Sequence, residues 1–176
     1  MKYYTLKIDK LQRKLPIVSL SPKMKVASFN LLGDPELVNI SAQKLCNKIK
    51  KLDFDVLVGP EVKVVPLIHE MSNVLKLKKY VICRKNIMGY MVNPVKPSSE
   101  SGLVLDGKDA SYLKGKKVII VDDVVSTGRT LKEINKLMES IDAKIVAVCS
   151  VFKQNDKEDE ELKDLIFLQN LPIFKS

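Results

Sequence analysis

Val118-Ile119-Ile120-Val121-Asp122-Asp123-Val124-Val125-Ser126-Thr127-Gly128-Arg129-Thr130 decides how this chain folds. The four β-branched residues at 118–121 read as a buried strand. Two carboxylates follow at its C-terminal end, and a short run of Ser, Thr, Gly and Thr then opens a helix. In an open α/β sheet, ligands bind beyond the carboxyl ends of the strands. Backbone N–H groups at a helix start, ringed by small hydroxyl residues, suit a phosphate. The acidic pair does not serve that same group, because like charges repel; it suits sugar hydroxyls or a metal-bound ligand. A phosphate beside a polyol is a sugar phosphate. A buried strand with a capped helix after it accounts for the Val/Ile run and for Ser126 or Thr127 as a cap. It leaves two adjacent acids ahead of Ser-Thr-Gly-Arg-Thr unexplained.

Strands and helices alternate on both sides of this segment. Strands are expected at 54–58, 80–83, 145–151 and 164–168, and helices at 65–77 and 130–140. Before them, Leu37, Ile40, Leu45 and Ile49 have helical spacing, so 36–51 is a helix. The stretch 14–29 reads as two short strands around a Ser21-Pro22 turn, with a polar loop at 30–35. Residues 155–164 are acidic and expected to be exposed, and 171–174 form an apolar tail that packs down. The alternation implies an α/β fold: a doubly wound, mainly parallel sheet with flanking helices. A chain of 176 residues suggests a single domain, 1–176, with its core sheet in 54–151. The connection 86–112 is too long to be a plain turn. A segment of that length in a compact domain is a lid or a long edge hairpin.

Composition narrows the function. No apolar run approaches the ~20 residues that span a bilayer, and the first residues lack the apolar core of a signal peptide. Cys46, Cys83 and Cys149 are far apart and form neither a metal spacing nor a disulfide framework. A cytoplasmic protein with no membrane partner is expected. The net charge of +9 is almost all lysine, with arginine at Arg13, Arg84 and Arg129 alone. No basic patch is interleaved with aromatics, so no nucleic-acid partner is expected. His69, mid-helix and without other ligands at metal spacing, marks no metal site.

The 118–130 run resembles the phosphoribosyl pyrophosphate (PRPP) signature of the type I phosphoribosyltransferases, closest to the adenine/xanthine type. The resemblance implies that family's fold, with an N-terminal hood at 14–35 and a mobile β-hairpin loop at 86–112. It implies that Asp122 and Asp123 hold the ribose hydroxyls. Val125, Ser126, Thr127, Gly128, Arg129 and Thr130 would wrap the 5′-phosphate. Val58-Gly59-Pro60-Glu61-Val62-Lys63-Val64 stands where the family binds pyrophosphate. Glu61, Val62 and Lys63, with Arg84 and Lys85, would take that role. Val64 replaces a usual glycine. In Arg84-Lys85-Asn86-Ile87-Met88-Gly89-Tyr90-Met91, Met88 replaces an expected cation. Lys25-Val26-Ala27-Ser28-Phe29-Asn30 resembles the hood, which makes Phe29, Asn30 and Val124 base contacts; Phe29 fits core filling equally well. Glu100 fits two roles, proton removal from the base or a solvated surface acid.

The implied activity is transfer of ribose 5-phosphate from PRPP to a purine in purine salvage, releasing pyrophosphate. Adenine is favoured as the base, with xanthine or hypoxanthine as alternatives. Mg²⁺ would be held through PRPP, with no metal ligand direct from the protein, and the enzyme would be a homodimer. The second reading is a PRPP-binding regulator without catalysis. A third, an RNA-binding regulator, rests on basic charge alone.

Overall fold

The structure is a computed structural model that describes residues 2–97, 102–154 and 162–175. Glu100 and residues 155–161 lie outside them. The chain runs through β1 (Tyr3–Ile8), β2 (Leu11–Ser21), β3 (Met24–Ala27), α1 (Pro35–Ile49), β4 (Val56–Pro60), α2 (Val65–Val74) and β5 (Tyr80–Cys83). It continues through α3 (Gly107–Leu113), β6 (Lys117–Val125), α4 (Arg129–Ser140), β7 (Lys144–Lys153), β8 (Ile166–Asn170) and β9 (Ile173–Lys175).

Five strands form one sheet in the order β5-β4-β6-β7-β8, and every pairing in it is parallel. Side chains on a strand alternate between faces, and here both faces are covered. Leu57, Ile119 and Val121 point into a core with Leu37, Leu45 and Ile49 of α1 and Leu67, Ile68 and Met71 of α2. Val56, Val58, Val118 and Ile120 point the other way, onto Leu113 of α3 and Ile134, Leu137 and Met138 of α4. This is the doubly wound, mainly parallel architecture that the alternation implied. The strand order reverses between β4 and β6, and in such sheets the reversal opens a crevice at the carboxyl ends.

A second sheet, antiparallel, has the order β1-β2-β3-β9. It contains the two strands of the stretch expected as a hood, 14–35, and adds β1 and β9. β1 had no counterpart in the sequence reading, yet Leu6 and Ile8 are buried in the same core as α1. Their alternation with polar residues is a strand signal in a segment too polar to stand out. The apolar tail does more than pack down, since Ile173–Lys175 pairs with Met24–Val26 as the fourth strand.

Other boundaries move. β6 continues through both acids to Val125 because β7 pairs with it as far as Lys153. α2 stops at Val74, three residues early, where Lys76 turns to φ 56°. The last core strand is 166–170 rather than 164–168, and it carries the core sheet beyond residue 151. The largest correction concerns 86–112. Its C-terminal part is core: Leu103, Val104 and Leu105 are buried. Arg84 bridges Val104, and Val95 bridges Leu105. Asp106 then caps α3, which buries Ala110 and Leu113. The lid or edge hairpin expected over 86–112 therefore does not extend to Leu103 and beyond.

Candidate active site

β4 pairs with β6 only from Val56 to Val58, opposite Val118 to Ile120. Beyond that point β6 leans on β7 alone, and the two central strands part. A cavity of about 620 Å³ fills the fork, floored by Asp122, Asp123 and Val124 and walled by the loops after β4 and β6. Gly59 sits at the closure. A Cβ there would lie 2.8 Å from the Val121 carbonyl oxygen and 2.9 Å from Val64 Cγ1.

Asp122 and Asp123 are 9% and 8% exposed. Neighbours on a regular strand face opposite ways, yet both acids line the same cavity. Asp122 Oδ1 accepts the Asp123 backbone N–H at 2.8 Å. Burial, and then the charge of Asp123, pushes the Asp122 carboxyl up to about 8, while Lys63 across the cavity pulls it down.

The loop 126–128 reaches α4 through Gly128, whose φ of 69° is left-handed, a conformation glycine adopts without strain. Gly128 is also the N-cap, and no side chain caps the helix. This excludes Ser126 or Thr127 as a helix cap. A recess of about 40 Å³ is lined by Asp122 and by 124–131, and Thr127 is exposed at its rim. Free N–H groups, hydroxyls and the helix dipole together suit a phosphate. Two other helices do have side-chain caps: Asp34 accepts from Leu37 N–H on α1, and Asp106 from Lys108 N–H on α3.

Opposite stands the loop 61–64, which opens α2 and also lacks a side-chain cap. The Glu61–Val62 peptide is cis. Lys63 and Lys85 line the cavity. Arg84 behaves otherwise than expected. Its Nε lies 2.6 Å from Glu61 Oε2, with the N–H off the line to the oxygen. Glu61 Oε1 accepts the Lys85 backbone N–H at 2.7 Å. Arg84 is thus turned to Glu61, and Glu61 ties the loop to the end of β5. Val64 is 1% exposed with φ −76°, so this backbone does not need a glycine.

The hood residues also depart from expectation. Phe29 is buried and meets Phe152 edge-on, with ring centroids 4.5 Å apart; of its two readings, core filling is what its position shows. Asn30 is exposed, and its Oδ1 accepts the Leu32 N–H. Val124 lies on the cavity floor. Glu133 lines the cavity although the sequence reading passed over it. It lies 3.6 Å from Arg129, one turn earlier on α4, and that i,i+4 spacing was the available signal. His69 packs edge-on against Tyr80.

Four carboxylates, Glu61, Asp122, Asp123 and Glu133, face three cations, Lys63, Lys85 and Arg129, across this cavity. A polyanionic ligand entering it needs added positive charge. No cluster of three metal-ligating side chains occurs among the described residues. No helix among the described residues is long and apolar enough to cross a membrane.

The family described as phosphoribosyl transferase domain matches residues 32–176. The adenine phosphoribosyltransferase of Petrotoga mobilis is 34% identical over 142 residues, covering 77% of this chain and 79% of that protein. That of Thermosipho africanus is 32% identical over 146 residues, 78% and 85% of the two chains. Among solved structures, adenine phosphoribosyltransferase from Thermoanaerobacter pseudethanolicus aligns with a TM-score of 0.70 at 24% identity, over 89% of this chain and 95% of that one.

Proposed function

The chain belongs to the phosphoribosyl transferase domain family, and from that premise we propose that it transfers ribose 5-phosphate from PRPP to adenine, in purine salvage. The observation that carries this reading is the buried acid pair beside an uncapped helix N-terminus. The ribose hydroxyls lie on Asp122 and Asp123, and the 5′-phosphate in 125–130. Pyrophosphate leaves toward Lys63 and Lys85, with Glu61 and Arg84 as the frame of that loop. Mg²⁺, held through PRPP, would neutralise charge on the leaving pyrophosphate, beside the cations Lys63 and Lys85. The adenine nitrogen attacks C1′, and the protein contributes positioning and charge stabilisation.

The base lies over Val124, beneath the connection 28–34, which Phe29 seats on Phe152. Val62, Ile87, Met88, Tyr90 and Val92 are exposed apolar residues in or just after the loops that frame the pyrophosphate side. They support the homodimer reading, with a second copy covering them. Three free, buried cysteines fit the reducing cytoplasm. The test is pyrophosphate release with PRPP, Mg²⁺ and adenine, hypoxanthine, guanine or xanthine in turn. Adenine is expected to be fastest. PRPP binding without release on any purine would favour the non-catalytic regulator instead.

A further inference from the structure

Arg13 is the one arginine that the sequence motifs leave without a role. It sits on β2, paired with Leu6 of β1, and its guanidinium leaves the hood to reach the start of α1. Nε donates to Asp34 Oδ2 at 2.6 Å, and one terminal nitrogen donates to Asp34 Oδ1 at 3.0 Å. That same nitrogen reaches Glu36 Oε2 at 2.7 Å, and the other donates to the Gln12 carbonyl at 3.0 Å. This is a fork on one carboxylate, the geometry that distinguishes arginine from lysine. Asp34 is used twice, because its Oδ1 also accepts the Leu37 N–H as the cap of α1. The hydrogen bonds from the guanidinium hold the Asp34 carboxyl below its usual range.

The clamp grips one end of the connection 28–34. The other end is Phe29, packed on Phe152. Phe152 is the cross-strand partner of Val124, which floors the cavity. The line from Arg13 to Val124 is therefore a continuous run of contacts and chain. A second ion pair between hood and core, Lys44 with Asp9 at 2.7 Å, holds the β1–β2 turn and has no such line.

We propose that Arg13 is a positioning residue for the purine: by clamping Asp34 and Glu36 it sets the height of the 28–34 connection above Val124. This rests on the reading of the cavity as a purine phosphoribosyltransferase site. The test is steady-state kinetics on the full chain, with adenine and PRPP varied separately, for Arg13→Gln, Arg13→Lys and Lys44→Met, each with a thermal melt. Arg13→Gln is expected to raise the KM for adenine at least about fivefold and to leave the KM for PRPP within about twofold. Arg13→Lys keeps the charge but loses the fork, and is expected to fall between; it carries the test alone if Arg13→Gln does not fold. Lys44→Met is expected to change the melt at most. An adenine KM unchanged in both Arg13 variants overturns the proposal, as does an equal rise in both KM values. A wild-type chain that turns over no purine overturns the underlying reading, and this inference with it.

Discussion

The two loops that face each other across the cavity solve the problem of holding an anion differently. Both follow a central strand, and both open a helix that no side chain caps. The loop after β6 has small hydroxyl residues, a left-handed glycine and an exposed threonine, so its backbone is open to a ligand. The loop after β4 is already occupied. Val65 N–H is spent on the Val62 carbonyl, Pro66 has none to offer, and Glu61 is tied to the end of β5. Val64 is wedged against Gly59. The first loop presents open backbone and hydroxyls. The second is a fixed frame that presents Lys63. A helix N-terminus becomes an anion site only where its N–H groups are unspent.

Breaking the first loop should have the largest effect. Thr127→Asp places a negative charge at the rim of the phosphate recess. Two like charges ~4 Å apart near a surface repel by roughly 4 kcal/mol. Calorimetric titration with PRPP and Mg²⁺ should show a loss of at least about 100-fold in affinity, with the melt unchanged because Thr127 is exposed. Unchanged affinity would remove the phosphate from this loop.

The second loop should fail through packing instead. Val64→Gly removes a fully buried side chain and frees the backbone. The expected cost is about 2–4 kcal/mol in denaturant unfolding, with no tighter PRPP binding, because φ −76° is open to any residue. Tighter binding in a stable variant would show that Val64 obstructs the ligand after all.

Asp122 lies at the fork between the loops and sharpens the contrast through pH. Its folded pKa of about 8 is above the ordinary value of 3.8, so the folded state holds the extra proton. That contribution to stability is complete below about pH 4 and is lost as pH rises through about 8. Asp122→Asn cannot ionise. Its stability advantage over the wild type should therefore grow from pH 5 to pH 8, by roughly 3–4 kcal/mol. Parallel pH profiles for the two proteins would mean that Asp122 is ionised throughout.

Smaller again is Glu61→Ala. It releases the Lys85 N–H and Arg84, for about 1 kcal/mol in stability and roughly a tenfold fall in kcat/KM for PRPP. Equal losses in the KM for adenine would argue against a role on the pyrophosphate side. Amide exchange sets the limit of the moving parts. Residues 103–113 should be protected with and without ligand, and any ligand-dependent slowing should fall before residue 103.

Much of this was written in local sequence. The β-branched run at 118–121, the alternation of strands with helices and the glycine ahead of Arg129 are local signals, and each led to the right element. Leu103 to Leu105 were hidden in a polar connection, because three residues are too few to show a period. β1 and β9 were hidden for a related reason, since short strands are stabilised by partners distant in sequence.

Residue type and order determined the fold class, the acid pair at the end of β6 and the glycine turn into α4, because those depend on propensity, spacing and charge along a few residues. Tertiary structure alone decided which side chains were still free to act. Arg84 is spent on Glu61, Phe29 on Phe152 and Arg13 on Asp34. Glu133 reaches the cavity. A side chain's chemistry is encoded where it stands, but its partner is set by packing between elements that the sequence keeps far apart.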